Sequence, residues 1–312
     1  MTANGFERRE GPEPDRIPPL GLLGSAVLFG AGALLLFLTT RVAVPAFVSA
    51  IGAETVVMWF LAASIVLFVP LLLTAALLLY RERRAGRLGS LGARLWLRPM
   101  NDGDWLWAVG ALMAISVLTG GIGVALRMLQ DGKNFHPSFM AFEPLGPGRY
   151  WILGAWLLFF VLNIVGEEFV WRAVALPRQE VAFGSRAWLV NGILWLLFHA
   201  AFPWQVLLTL VPITLLLPYV VQRRRSTYVG IVIHAGFAAM GFLVLAFGLL
   251  ERPHIAEPSA ADATVRNLHE YRCGTSPKGA TTQLDFAAMG RNEPDMRNTF
   301  CIRHDVVLSG RN

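Results

Sequence analysis

Runs of apolar residues almost free of charge recur seven times along the chain. They cover roughly Leu20–Thr40, Val56–Tyr80, Trp105–Leu126, Tyr150–Leu176, Ala187–Phe202, Trp204–Val221 and Tyr228–Leu250. Backbone groups in hydrocarbon must be satisfied within the segment, so runs of this kind have to be helices. The alternating segments of about ten residues that a membrane barrel needs do not occur. The expected fold is all-α, a polytopic membrane bundle of about seven transmembrane helices. Composition agrees: the 312 residues are 55% hydrophobic and 15% charged, against about 45–50% and about 25% in soluble domains.

The net charge of +6 is carried mostly by arginine. Arginines gather before the first run (Arg8, Arg9, Arg16), after the second (Arg81 to Arg98), after the fourth (Arg178, Arg186) and after the sixth (Arg223, Arg224, Arg225). The alternate loops are poor in them. By the positive-inside rule the N-terminus is expected in the cytoplasm of a bacterial-type membrane, with the first run retained as a span. Basic stripes interleaved with aromatics are missing, so no nucleic-acid partner is expected. The bilayer itself is the expected surroundings.

Four regions follow: a cytoplasmic segment over 1–17, three accessory helices over 18–149, a chemical core over 150–250, and a polar tail over 251–312. The tail reads as disordered. It holds both cysteines, Cys273 and Cys301. An odd number of crossings would put it outside the cytoplasm, where the two could pair. The alternative is two free thiols.

Charge inside a span is expensive, at least about 2.5–3.5 kcal/mol on insertion scales, and marks a functional candidate by default. The fourth run carries three charges, Glu167, Glu168 and Arg172. Glu168 and Arg172 are four apart, a helical spacing that lets them pair. Glu167 points elsewhere, so Arg172 cannot serve both carboxylates. A poorly hydrated, unpaired carboxylate is suited to general-base work. The later runs add His199, on a face with Asn191 and Trp195, and His234. At 1.5 Å per residue from the nearest arginine, Glu167, His199 and His234 lie roughly 16, 20 and 13 Å deep. Three titratable groups on three spans therefore meet near the middle of a core about 30 Å thick. Glu168 and Arg172 read as a structural ion pair. Trp171, Trp195 and Phe198 read as packing, and either His alone would pass for an interhelical hydrogen bonder.

Glu167-Glu168-x-x-x-Arg172, then Trp195-x-x-x-His199, then a late His234, in that order, resembles the CPBP family. That family contains CAAX prenyl endopeptidases of the Rce1 type and bacterial Abi proteins linked to bacteriocin processing or self-immunity. The resemblance implies an intramembrane glutamic endopeptidase with a cavity open to the cytoplasm and a peptide or membrane-associated protein as substrate. Glu167 would activate water with help from His199, and His234 would stabilise the oxyanion. Glu168 and Arg172 would hold the first motif. The pattern departs at Ala238, where the family commonly has Asn four residues after the last His. Losing one oxyanion donor costs about 10²–10³ in rate, and Asn163 or Asn191 would have to substitute. Trp195 in place of Phe reads as a mild change.

No cofactor is expected. Two His and one or two Glu are zinc-ligating types, but no HExxH helix is present and the ligands would come from three spans. The alternative function is a catalytically silent membrane binding, immunity or scaffold protein, which Ala238 favours. A proton-coupled transporter is disfavoured by the absence of an inverted repeat.

Overall fold

A computed structural model describes residues 17–130, 137, 140, 143–249, 271–275 and 299–303. The expected N-terminal segment, Ile17 apart, and most of the expected tail lie outside these. The chain divides into two units, Met1–Leu250 and Glu251–Asn312.

The first unit is the all-α membrane bundle. Its helices are α1 (Leu22–Ile51), α2 (Thr55–Arg84), α3 (Asp102–Leu129), α4 (Ile152–Glu167, continuing to Phe183), α5 (Ala187–Phe198), α6 (Trp204–Arg224) and α7 (Thr227–Ala246). Six continuous helical runs are long and apolar enough to cross a bilayer, because α4 and α5 follow without a break over Ile152–Phe198. They are nonetheless two helices. Gly184 takes φ +58, a left-handed conformation that costs glycine nothing. One 3₁₀ turn, Gly184–Arg186, then sends α5 back along α4. With 12 residues, α5 rises only about 18 Å and is the shortest of the seven, and His199 stands at its C-terminal end. The outer faces suit lipid: α3 turns Leu106, Val117 and Met128 outward, each more than 70% exposed.

Three helices contain a π-helical stretch, and each stretch is followed by a proline at its second downstream position. Thr39–Ala43 precedes Pro45, Ala63–Phe68 precedes Pro70, and Glu168–Ala175 precedes Pro177. The cause is local. Proline offers no N–H and its ring crowds the carbonyl four residues back, so the ladder widens upstream. For Pro177 that carbonyl is Ala173, and the guanidinium of Arg94 donates to it at 3.1 Å. Pro212 and Pro218 in α6 sit within regular α-helix.

Many of the arginines that sequence patterning assigns to topology are part of the packing. Glu82, almost wholly buried, accepts from Arg94 at 2.9 Å on both oxygens and from Arg178 at 2.7 Å. Asp104, also buried, accepts from Arg98 at 2.6 and 2.9 Å and from Arg224 at 2.8 Å. Its carboxylate also closes a capping box with Asn101 at the start of α3. The two clusters tie α2 to α4 and α3 to α6 at one end of the bundle. In the interior, Phe60 and Phe68 of α2 pack on Phe159 of α4, while Trp156 of α4 stacks on Phe242 of α7 at 4.5 Å. That contact brings α7 against the charged stretch of α4.

The second unit shows two strands, β1 (Tyr271–Thr275) and β2 (Thr299–Arg303), paired antiparallel. The register sets Cys273 opposite Cys301.

Candidate functional site

Glu167 is the last α-helical residue of α4 before the π stretch, and Glu168 and Arg172 lie within that stretch. Interrupted helices of this kind concentrate at functional sites. Glu168 and Arg172 form the ion pair that their spacing predicts. Arg172 Nη1 lies 3.6 Å from Glu168 Oε1, an ion pair without a hydrogen bond. None of the three guanidinium nitrogens of this fully buried arginine has a hydrogen-bond partner. The guanidinium carbon instead lies over the indole of Trp195, 3.5 Å from the ring centroid. A desolvated cation–π contact of this kind is worth about 2 kcal/mol.

Glu168 is taken up by His234, whose Nδ1 lies 3.0 Å from Oε1. An ionised carboxylate only accepts, so Nδ1 carries the proton and donates. Gly230, one turn earlier on α7, makes this approach possible. A Cβ there would stand 2.5 Å from Glu168 Oε2 and 2.9 Å from Val221. Gly230 and His234 thus present one face of α7 to a single carboxylate.

Glu167 is buried and bound by two uncharged donors. Asn163 Nδ2 donates to Oε1 at 2.9 Å, and Trp195 Nε1 donates to Oε2 at 2.5 Å. Trp195 is thus both part of the buried core and a donor to Glu167. Phenylalanine has no N–H, so the change from Phe to Trp at this position adds a hydrogen bond to the central carboxylate. The four-residue step from Asn163 to Glu167 was a usable signal for the other donor. Trp171 and Phe198 do pack: Trp171 stacks on Phe29 at 4.1 Å and meets Phe198 edge-on at 5.5 Å.

His199 follows the last residue of α5, and its Nδ1 lies 2.8 Å from the Trp195 carbonyl. A carbonyl can only accept, so Nδ1 is protonated and the neutral ring keeps its lone pair on Nε2. The rings of His199 and His234 lie 5.9 and 5.4 Å from that of Trp195, both edge-on. Glu167, Arg172, His199 and His234 are all gathered around this one indole.

The expected replacements for the missing Asn are both engaged. Asn191 Nδ2 donates to the Trp171 carbonyl and to Gln179 Oε1, at 2.9 and 2.8 Å. Asn163 is turned toward Glu167 itself. Ala238 stands one turn beyond His234 on α7, partly exposed. Among the described residues no group of three or more His, Cys, Asp or Glu is placed to hold a metal ion. His234 and His199 each direct Nδ1 to a protein acceptor, leaving Nε2 as the ligating atom. A cleft of about 620 Å³ opens at the arginine-rich end beside Pro177, Trp188, Tyr219 and Arg223. It is lined by none of the Glu and His residues of the cluster.

Residues 149–240 match the model of a family described as type II CAAX prenyl endopeptidase Rce1-like. The matched stretch contains every member of the cluster. No curated protein matches the chain, and no solved structure does.

Proposed function

Taking this chain as a member of the Rce1-like family of type II CAAX prenyl endopeptidases through residues 149–240, we propose that it is an intramembrane endopeptidase. It hydrolyses peptide bonds of membrane-associated peptides or proteins with water activated by Glu167 and His199. The observation that carries this reading is the state of Glu167. It is a buried carboxylate held by two neutral donors, with no cation among the described residues hydrogen-bonded to it. A carboxylate has about four lone-pair positions, so two contacts leave capacity to orient a water and take its proton.

In this scheme the water oxygen bonds to the scissile carbonyl carbon while Glu167 receives the proton. The tetrahedral intermediate collapses, the C–N bond breaks, and the proton passes to the leaving amine. His199 presents Nε2 as a second basic atom beside the water. His234 stabilises the oxyanion. Its Nδ1 proton is committed to Glu168, so Nε2 donates only when the ring is an imidazolium. Arg172 and Glu168 hold the first motif in register. No resident metal takes part, and the N-terminus faces the cytoplasm of a bacterial-type membrane.

A second reading is favoured by Ala238 and by the engagement of both asparagines: a catalytically silent binding or immunity protein that keeps the polar cluster. The test uses detergent-purified protein and a fluorogenic peptide library, with Glu167→Gln and His199→Ala beside wild type, with and without chelator. Cleavage lost in both variants and indifferent to chelator supports the metal-free protease. Chelator sensitivity replaces that mechanism with a metal-dependent one. A folded wild type that binds peptides without cutting them, and variants that do the same, support the silent protein.

A further inference from the structure

The chain holds two cysteines among 312 residues, and the register of the small sheet sets them opposite each other. The strands carrying them are five residues each. Residues facing across an antiparallel pair have Cα atoms about 4.5 or 5.5 Å apart, depending on whether the position is hydrogen-bonded. Both separations fall inside the roughly 4.4–6.8 Å that a disulfide spans. A slip of one residue in either strand would remove this correspondence, so two cysteines at one register position make a specific juxtaposition. A two-stranded ladder by itself is marginal in water, and among the described residues no third strand joins it. A covalent link between its strands is the device small elements use when they lack a core.

We propose that Cys273 and Cys301 form an intramolecular disulfide that staples β1 to β2. The bond forms by thiol–disulfide exchange with an oxidised dithiol protein. One cysteine thiolate attacks the oxidant's disulfide and gives a mixed disulfide. The second thiolate displaces the oxidant, which leaves as its dithiol. Two electrons and two protons pass from the cysteine pair to the oxidant. Such a bond persists only in an oxidising compartment, so residues 251–312 face one. None of this depends on the peptidase reading.

The test is made on the full chain in membranes, with N-ethylmaleimide added at lysis so that later oxidation is blocked. Intact mass after denaturation is then compared with and without prior reduction. The expected result is no maleimide adduct before reduction and two after it. A digest should contain one linked peptide pair holding Cys273 and Cys301. Cys273→Ser should leave one cysteine that accepts maleimide without reductant. Two adducts on the unreduced wild type would overturn the proposal, as would cysteines linked to other molecules rather than to each other. Peptidase activity, if present, should be the same in wild type and Cys273→Ser, which keeps the two proposals separable.

Discussion

The indole N–H of Trp195 donates to Oε2 of Glu167 at 2.5 Å, while the face of the same ring carries the guanidinium of Arg172. One side chain thus links the carboxylate read as the base to the buried cation four positions beyond its neighbour. Trp195→Phe keeps the ring and removes the N–H. A buried acceptor that loses its donor costs about 1–3 kcal/mol, so the variant should unfold earlier in detergent by that amount. In a peptidase assay the change should appear in kcat more than in KM, because in the proposed mechanism Glu167 meets the attacking water and not the remote part of the substrate.

Ala238→Asn introduces the donor that the proposed resemblance would place four residues after His234. Ala238 is partly exposed and one turn from His234, so a larger side chain has somewhere to go. An oxyanion donor is worth about 10²–10³ in rate. The substitution should raise kcat toward that range, measured on the best peptide of the library. An unchanged rate would mean that another group already serves the oxyanion.

Gly230→Ala drives a methyl group against Glu168 Oε2 and Val221. Overpacking of this kind costs about 1–3 kcal/mol, and the carboxylate must move off His234 to relieve it. The melting temperature and the activity should both fall. Gly241, further along α7, has open space at its Cβ position, and Gly241→Ala should leave both unchanged.

Glu168→Gln and His234→Ala should not add. The two groups share one contact at 3.0 Å, and partners in direct contact couple by about 0.5–3 kcal/mol. A double-mutant cycle on thermal stability reads the coupling. Additive losses would show that the contact contributes nothing.

Glu82→Ala removes the acceptor shared by Arg94 and Arg178. Both guanidinium groups are nearly buried, and stranding the partner of a buried pair costs about 3–5 kcal/mol. The expected outcome is a large loss of thermal stability. Glu54→Ala, which breaks the exposed pair with Arg149, should cost at most about 1 kcal/mol.

The sequence by itself determined that this is a helical membrane protein and which polar residues lie inside its apolar runs. Apolar runs of this length admit no other backbone in lipid, and a charge in such a run needs partners inside the protein. Glu167, Glu168, Arg172, His199 and His234 stood out because the surrounding chemistry makes each of them costly. The tertiary structure decided how they pair. Counting in α-helical turns joined Glu168 to Arg172, and the two do form an ion pair at 3.6 Å, but only the tertiary structure brings His234, 66 residues away, into hydrogen-bond reach of the same carboxylate. Gly184 likewise turns α5 back along α4 through a single 3₁₀ turn, although the two helices follow without a break in sequence. Trp195 looked like packing because an indole on an apolar face usually is, and only the placement of α5 against α4 aims its N–H at Glu167. Local periodicity reports which face a residue occupies. Which group it meets across a helix interface depends on where widened turns, glycines and buried ion pairs set the neighbouring helix.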